Sequence, residues 1–390
     1  MLLAICEVAR SQNAFSTKTV PKLAGCCQHA LTGINDRGEV VGYSVDAYGQ
    51  VRVITWSKTG GLKVLQVGRG TAMNLGGDIL VALGRFTGGL LPNGAPFVTI
   101  PGSFGLNDKR EVVGQILSAF RWTAEEGAVD LGWGDSSAAG AVNNAGQIVG
   151  ERNVSIYAHA VIDNLDIHGI GWESFATAIN NRGQVTGYSE MACPTGPAWC
   201  DYHGWLWDRD SGTSLTDLGP MPGCPKPSYV RPYAINESGM IVGTACGKAF
   251  LWRPALGVLE DLNTLTGTTN GSDPLAVGIN RWGQIALTNR RVLTPIMRVT
   301  ITSSSNPSRV GDEVVFTASV DSIIGPPPDG EILQVKVGTV LIGSIPLRNG
   351  QAQWSSQFVR PAYPFTISAT YVGDAIYAKA SNHIPQTVIP

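Results

Sequence analysis

The stretch Gly33-Ile34-Asn35-Asp36-Arg37-Gly38-Glu39-Val40-Val41-Gly42 recurs along the chain and decides its architecture. An apolar segment ends at Ile-Asn, a short turn closes on Gly, and a second apolar segment follows. Asn and Asp favour tight turns through side-chain to backbone hydrogen bonds, and Gly supplies the positive φ that ends such turns. The phrase therefore predicts a tight β-hairpin.

Seven copies of this hairpin phrase can be aligned. A weak copy spans 278–287, and a degenerate copy at 72–81 has Val81 in place of the last glycine. The anchoring asparagines are Asn35, Asn74, Asn107, Asn143, Asn180, Asn236 and Asn280. Successive asparagines lie 33 to 56 residues apart, around the ~40 residues of one four-stranded propeller blade.

Two further segments complete most copies. An aromatic segment follows the phrase and ends at Trp56, Trp122, Trp207 and Trp252 in four of them. A short stretch then closes the unit, as at 129–132, 215–219 and 259–262. Four strands repeated seven times predict a seven-bladed β-propeller, in which these tryptophans fill the space between blades.

The two ends of the repeat array complement each other. The last copy supplies only three strands, the third at Arg291–Leu293, while Thr19–Gly25 has the character of a fourth strand standing alone. An open array would expose an edge strand and an apolar face. We therefore predict that Thr19–Gly25 completes the seventh blade and closes the ring.

The periodicity stops at Met297. Short strands are predicted at 297–302, 313–320, 332–337, 340–345, 352–358 and 365–371. Such spacing is typical of an Ig-like β-sandwich. The chain is thus predicted to be all-β, a seven-bladed β-propeller followed by an Ig-like β-sandwich. Its predicted parts are an N-terminal segment at 1–14, the propeller at 15–295 and the sandwich at 296–390.

Two resemblances accompany these patterns. The phrase Ala-x-x-Ile-Asn-x-x-Gly-x-Val-x-Gly, followed by Ala-Phe-Leu-Trp and Asp-Leu-Gly, resembles the bacterial extracellular HAF repeat family over roughly residues 15–295. That resemblance implies an extracellular, propeller-like protein, and the family carries no agreed catalytic residues to transfer. The residues 305–307, 310–311 and 369–374, with Tyr377, resemble bacterial Ig-like domains, which are similar to spacers and stalks in adhesins and secreted enzymes.

Composition narrows the class of protein. Lys and Arg number 28 against 30 Asp and Glu, and the longest basic run is the pair Arg290-Arg291. Nucleic-acid binding needs a basic face, so it is not expected. No apolar run approaches the ~18 residues of a membrane span, so membrane insertion is not expected. Met1–Cys6 is too short for a signal sequence, so the predicted extracellular or cell-surface location has no visible export signal in this chain.

The cysteines favour export. Cys193 and Cys200 bracket a loop in the fifth copy, while Cys224 precedes the first strand of the sixth copy and Cys246 follows its second strand. Antiparallel neighbours bring the start of one strand beside the end of the next, so we predict the disulfides Cys193–Cys200 and Cys224–Cys246. The alternative is free buried thiols in a cytosolic protein. Three cysteines cannot be paired from their spacing: Cys6, Cys26 and Cys27.

Candidate chemistry is sparse. His159 and His203 occupy the same repeat position, which favours a structural role. The acidic pairs Glu125-Glu126 and Glu260-Asp261 fall in turns or fourth strands, and Asn-Asp-x-Gly turns lack the successive oxygen ligands of a calcium loop. Nucleophile, phosphate-loop and dinucleotide motifs are missing. We expect no catalytic residue, no metal and no cofactor.

One face of the propeller is predicted to bind a ligand. Connections from fourth to first strands and from second to third strands emerge on that face, and the longest insertions lie there, over blades four to six. The candidate platforms for a glycan or protein are Trp133, Trp172, Trp199 and Tyr229.

Three functions remain open. The leading one is a non-enzymatic extracellular or cell-surface protein for binding or adhesion, whose partner is a glycan or a protein. The second is a structural subunit that self-assembles into a homo-oligomer, filament or matrix through its Ig-like domain or N-terminal segment. The third is a carbohydrate-active lyase or hydrolase, for which carboxylates clustered at the channel mouth would be the discriminating feature.

Overall fold

The structure is a computed structural model that describes residues 14–84, 87–154, 157–167, 169–191, 201–209, 215–225, 228–268, 274–374 and 376–390, leaving aside the side chains of residues 26, 27, 362 and 363. The described residues are almost all β-structure, which confirms the predicted all-β class. The chain divides into two compact units. The first unit is Thr17–Leu293, and the second combines Thr294–Pro390 with the described N-terminal residues up to Ser16.

Strands β1 to β28 and one helix make up the repeat region. Their bounds are β1 (Phe15–Thr19), β2 (Cys26–Ile34), β3 (Val40–Asp46), β4 (Val51–Ser57), β5 (Gly61–Val67), β6 (Arg69–Met73), β7 (Ile79–Ala82), β8 (Gly88–Leu91), β9 (Val98–Thr99), β10 (Ser103–Leu106), β11 (Val112–Gln115), β12 (Ser118–Thr123), β13 (Gly127–Asp135), β14 (Ala138–Val142), β15 (Ile148–Val154), β16 (Tyr157–Ile162), β17 (Leu165–Ile167), β18 (Glu173–Ile179), β19 (Val185–Glu190), β20 (Tyr202–Trp207), β21 (Leu215–Asp217), β22 (Val230–Ile235), β23 (Ile241–Ala245), β24 (Lys248–Trp252), β25 (Leu259–Asp261), α1 (Leu262–Thr266), β26 (Ala276–Ile279), β27 (Ile285–Leu287) and β28 (Arg291–Pro295).

Within the described residues these strands form seven separate four-stranded sheets. The first six sheets follow chain order: β2–β5, β6–β9, β10–β13, β14–β17, β18–β21 and β22–β25. The seventh has the order β1-β28-β27-β26, so an N-terminal strand completes it. That strand lies earlier than the predicted Thr19–Gly25, because Val20 N makes the last bond of the pairing, to Arg290 O at 2.8 Å, and Pro21 has no N–H to continue it.

The hairpin phrase forms the expected turn at the end of each first strand. At Asn35, the side-chain Oδ1 accepts hydrogen bonds from the backbone N–H groups of Arg37 and Glu39, both at 3.0 Å. Gly38 then takes a φ of 72°, in the left-handed region that glycine tolerates best. We call the seven equivalent turns the asparagine corners.

The asparagine corners are also bonded to one another. Each asparagine Nδ2 donates to the backbone oxygen of the next: Asn35 to Asn74 at 3.1 Å, Asn74 to Asn107 at 3.1 Å, Asn107 to Asn143 at 2.9 Å, Asn143 to Asn180 at 3.0 Å, Asn180 to Asn236 at 2.9 Å, Asn236 to Asn280 at 3.1 Å, and Asn280 to Asn35 at 3.0 Å. The seven bonds form a closed circuit. A cavity of about 180 Å³ lies among the corners.

The core of the first unit lies between consecutive sheets. Trp56 packs with Val40 of its own sheet and with Ala286 and Val292 of the seventh sheet. Trp207 and Trp205 pack with Val149 and other residues of the fourth sheet. Such clusters bury apolar side chains that a single four-stranded sheet would leave exposed, so each sheet depends on its neighbours.

The second unit contains, in its described residues, eight strands in two sheets. They are β29 (Arg298–Ser303), β30 (Ser308–Arg309), β31 (Glu313–Asp321), β32 (Ile332–Val337), β33 (Val340–Pro346), β34 (Gln351–Gln357), β35 (Ala362–Tyr371) and β36 (Ala380–Ile389). One sheet has the order β29-β31-β34 and the other β30-β36-β35-β32-β33. Phe316, Phe358 and Ile367 lie in the core of this unit.

Candidate ligand-binding face

The predicted face corresponds to one edge of the fourth, fifth and sixth sheets. The first strand of each sheet runs toward its asparagine corner. The start of that strand and the end of the second strand therefore lie at the other end of the sheet, and in this subsection "edge" means that row of strand ends. Six aromatic residues at this edge or beside it form what we call the aromatic face: Tyr157, Trp172, Phe175, Tyr188, Tyr202 and Tyr229.

Trp172 is the most exposed member that the structure describes. Its side chain is 58% exposed, and its N–H donates to Glu190 O at 2.8 Å, which fixes the backbone beside the start of β18. Its ring meets that of Tyr157 edge-on, with centroids 5.7 Å apart and planes at 73°. The pair thus presents a rigid apolar surface of two rings to solvent.

The other four rings form a continuous row. Phe175 stacks on Tyr188 at 4.9 Å, as expected for a direct cross-strand pair between β18 and β19. Tyr188 meets Tyr202 at 5.7 Å, and Tyr202 meets Tyr229 at 5.5 Å. The last contact links the fifth sheet to the sixth, because Tyr202 and Tyr229 also form an isolated parallel bridge.

Arg231 lies over this row. Its guanidinium carbon is 4.7 Å from the centroid of Tyr202 and 5.2 Å from that of Tyr188, so two rings stabilise its charge. Its Nε is buried and has no hydrogen-bond partner among the described residues. A buried, unbonded donor is costly to the folded state.

Carboxylates lie beside the rings. Glu173 pairs directly with Glu190 across β18 and β19. Burial raises the pKa of Glu151, and the negative charge of Glu173 raises it further. Burial also raises the pKa of the Tyr188 hydroxyl, although the charge of Arg231 acts in the opposite direction. Glu151 therefore holds a proton more readily than an ordinary glutamate does.

The predicted platform residues have different outcomes. Trp172 is exposed on this edge, and Tyr229 is half-buried in the aromatic row. Trp199 lies outside the described residues. The prediction for Trp133 is wrong: its side chain is only 5% exposed and packs with Val113 and Ile148 between the third and fourth sheets. The strand β13 continues to Asp135, which turns Trp133 into the core.

One of the two expected disulfides is present, between Cys224 and Cys246. Cys246 and Gly247 form the two-residue turn between β23 and β24, and both have the positive φ that a type I′ turn requires. Cys193 and Cys200 lie outside the described residues, as does Cys6. The side chains of Cys26 and Cys27 are likewise not described.

The histidines and acidic pairs make structural contacts. His203 lies within β20, with its Nδ1 2.9 Å from Asp217 Oδ2. Glu126 pairs with Arg121, and Glu260 pairs with Arg253 at 2.7 Å. Asp261 caps the helix α1. In the part of the chain that the structure describes, no three His, Cys, Asp or Glu side chains are grouped to hold a metal ion.

Sequence reasoning missed most residues of this edge: Tyr157, Phe175, Tyr188, Tyr202, Glu151, Glu173, Glu190 and Arg231. The positions of three of them in the repeat could have pointed to them. Glu151 and Tyr188 each follow the glycine that ends a hairpin phrase, and Arg231 lies five positions before its asparagine. The first and second sheets repeat one part of the arrangement, because the equivalent Arg69 lies 4.1 Å from the ring of Tyr43. The Arg–Tyr contact alone is therefore a feature of the repeat, and the added rings and carboxylates distinguish this edge.

Comparison with known proteins bears on the second unit. Residues 301–389 match the family model of the bacterial Ig-like domain (group 3). No curated protein matches the chain. Among the helical segments that the structure describes, none has the length and apolar content to cross a bilayer.

Two solved structures are similar to the chain at low level. Both are extracellular domains of BT4673 from B. thetaiotaomicron, one from a one component system and the other from a hybrid two component system. The first has a TM-score of 0.43 and 6% identity, covering 97% of this chain and 60% of that one. The second has a TM-score of 0.46 and 7% identity, covering 98% and 60%. The chain thus spans 60% of the length of either structure. The family match stands on its own: the C-terminal unit is a bacterial Ig-like domain.

Proposed function

We propose that the chain is an exported, non-enzymatic binding protein: a seven-bladed β-propeller of HAF-type repeats, joined to a bacterial Ig-like domain, that holds a glycan on its aromatic face. The observation that carries the proposal is the exposed Trp172 ring, which is set edge-on against Tyr157 and precedes Glu173, the residue directly opposite Glu190 across β18 and β19.

The propeller assignment is supported by the closed circuit of asparagine bonds. A ring of seven corners in which the last bonds back to the first is what we expect of sheets arranged about a common centre, as the blades of a propeller are. The seventh sheet takes its fourth strand, β1, from the N-terminal end of the chain. Joining the two ends of the array in one sheet is how a closed ring avoids a free edge.

Export is supported by the disulfide between Cys224 and Cys246. Structural disulfides form and persist in oxidising compartments and are rare in the reducing cytosol. The Ig-like domain is consistent with a surface or secreted protein, in which such modules act as spacers.

A glycan fits the aromatic face better than a flat protein surface does. The apolar C–H face of a sugar ring stacks on an exposed aromatic ring, and its hydroxyl groups donate to carboxylates and accept from the N–H groups of a half-buried guanidinium such as that of Arg231. Trp172, Glu173 and Arg231 supply these three kinds of contact within two neighbouring sheets.

The test is a screen of the whole chain on a glycan array, followed by calorimetric titration of any hit. We expect Trp172→Ala to weaken binding by about tenfold or more, since an aromatic anchor contributes roughly 2 kcal/mol. Tyr48→Ala is the matched control, because Tyr48 is 96% exposed in the turn between β3 and β4 of the first sheet. Binding that survives Trp172→Ala unchanged, or that Tyr48→Ala weakens equally, would remove the aromatic face from the proposal.

A second function is favoured by one observation. Glu151 and Glu173 are close enough for the charge of Glu173 to raise the pKa of Glu151, and Glu151 is close enough to Tyr188 to raise the pKa of its hydroxyl. Two neighbouring carboxyl groups, one of which has a raised pKa, are the arrangement that carbohydrate-active hydrolases use. Release of reducing or unsaturated ends from polysaccharides, abolished by Glu151→Gln, would favour this enzyme over a binding protein. Binding without any product would favour the first function.

A further inference from the structure

The Ig-like unit has one free edge that differs from its other edges. The strand β33 ends the five-stranded sheet, where it pairs only with β32. Val340 is 64% exposed, Leu341 50% and Ile342 46%, and none of the strand's residues is buried. Both faces of an apolar strand are therefore in contact with solvent.

The outer side of β33 also lacks hydrogen-bond partners. Within the described residues, no backbone bond is made from 339–346 to any group outside the ladder with β32. Free strand edges of this kind add a further strand readily, and natural proteins block them with charged residues. The stretch 338–347 contains no charged residue, and its only blocking residue is Pro346 at the end of the strand.

The opposite sheet shows how an edge is protected in the same unit. The strand β34 ends the sheet β29-β31-β34, and its outward positions are occupied by Gln351, Gln353, Ser355 and Gln357. Its exposed side chains are all polar, whereas those of β33 are mostly apolar: Val340, Leu341, Ile342, Ser344 and Pro346. The polar edge strand β34 is suited to contact with water, whereas the apolar edge strand β33 is suited to contact with another protein strand.

We propose that β33 is a self-association edge, through which two copies of this chain pair their Ig-like units as antiparallel strands about a two-fold axis. A second copy fits because an uncharged strand brings no like charges together when it faces itself. A foreign partner that is selected by charge would need charged residues on this strand, and the stretch 338–347 has none. The proposal is independent of the aromatic face, which lies in the other unit.

The ladder between β32 and β33 has one irregularity. Lys336 pairs with Leu341 and Val335 with Gly343, so Ile342 is an extra, bulged residue. A bulge shortens the regular edge available to a partner. We therefore expect a weak dimer, with a Kd of about 10 µM and an interface at the small end of the specific range.

The test is sedimentation velocity on the full chain between about 1 µM and about 100 µM, which brackets that Kd. We expect the dimer fraction to rise with concentration, and Leu341→Lys to raise the Kd by about tenfold or more because it puts a charge on both facing strands. Ser355→Lys, on the exposed side of β34, is the matched control and should leave the Kd within about twofold. Val340→Lys is a second variant, and circular dichroism checks that each variant is folded.

Three results would overturn the proposal. The first is an unmodified chain that stays monomeric throughout the concentration range. The second is folded Leu341→Lys and Val340→Lys variants that dimerise as the unmodified chain does. The third is a loss of dimer in Ser355→Lys equal to that in Leu341→Lys. Trp172→Ala should leave the dimer fraction unchanged. Glycan binding therefore tests the glycan proposal alone, and sedimentation velocity tests this proposal alone.

Discussion

The side-chain Nδ2 of Asn280 donates a 3.0 Å hydrogen bond to the backbone oxygen of Asn35, although 245 positions separate the two residues. Six other bonds of the same kind join the remaining corners, each between consecutive copies of the hairpin phrase. This one bond joins the last copy to the first. A single residue type thus performs a local task, closing its own turn, and a long-range one, contacting the next sheet.

Asn280→Ala is expected to lower the free energy of unfolding by about 2–4 kcal/mol, since several buried hydrogen bonds disappear together. The lost bonds run from Nδ2 to Asn35 O and Gln284 Oε1, and to Oδ1 from the N–H groups of Trp282 and Gln284. Urea unfolding followed by tryptophan fluorescence measures the change. The control is Asn153→Ala, at an exposed asparagine of β15, where we expect a loss within about 0.5 kcal/mol. Equal losses in the two variants would contradict the structural role of the circuit.

Trp133 and Trp172 are expected to behave oppositely when they are truncated. Trp133→Ala removes a buried ring from the cluster between the third and fourth sheets, so we expect a loss of about 3–5 kcal/mol. Trp172→Ala removes a ring that is 58% exposed, and its effect on stability should be within about 1 kcal/mol. Thermal unfolding of the two variants and the unmodified chain measures both changes in stability. A stable Trp133→Ala variant would mean that this ring is not part of the core.

Removal of the disulfide is expected to weaken the sixth sheet. The bond between Cys224 and Cys246 closes a loop of 22 residues, and cross-links of that size stabilise by about 3 kcal/mol through the unfolded state. We expect Cys224→Ser with Cys246→Ser to lose this amount in urea unfolding. A reductant should lower the stability of the unmodified chain and leave that of the double variant unchanged. Equal sensitivity of both to the reductant would assign the effect to other cysteines.

Glu151 is expected to make stability depend on pH in an unusual direction. Burial, and then the charge of Glu173, raises the pKa of Glu151 in the folded chain above its ordinary 4.5. The folded state therefore binds the proton more tightly than the unfolded state. The resulting stabilisation is fully present below about pH 4.5 and is lost as the pH rises through the raised pKa.

Glu151→Gln should therefore be more stable than the unmodified chain at neutral pH, and the difference should vanish in acid. Glu173→Gln should give part of the same gain, because it removes the second cause of the shift. Urea midpoints across the acid-to-neutral range measure both effects. Glu125→Gln, in an exposed turn of the third sheet, controls for the loss of one carboxylate. A Glu151→Gln variant that is less stable at neutral pH would show that the ionised carboxylate is bonded rather than penalised.

Much of the local structure follows from sequence because its causes are local. The hairpin phrase places β2 and β3, and its copies place the other inner strands, since turn chemistry and alternation act over a few residues. The bond from Asn280 to Asn35 could not be read in this way, because no short-range pattern records which distant carbonyl a side chain will face. The seven-bladed arrangement is accordingly a proposal built on the structure's circuit of bonds.

The candidate site was harder to predict than the turns. A strand that ended at Gly132 would place Trp133 in a loop, yet the strand continues past Gly132 and Gly134, both with positive φ. Glycines that bend a strand and glycines that end one look alike in sequence. Glu151 and Glu173 are on different sheets, so their proximity depends on how the fourth and fifth sheets pack against each other. No pattern within either repeat records that packing.

The strand β1 precedes the other strands of its sheet but pairs with the last of them. Val20 bonds to Arg290, 270 positions later, so a ribosome must deliver all the intervening repeats before the seventh sheet has all its strands. Until then the N-terminal strand is an unpaired edge, and pairing at such sequence separation is slow. Premature termination anywhere before β28 would leave a nascent product with two unsealed ends, a ready substrate for proteases and for wrongly matched strands.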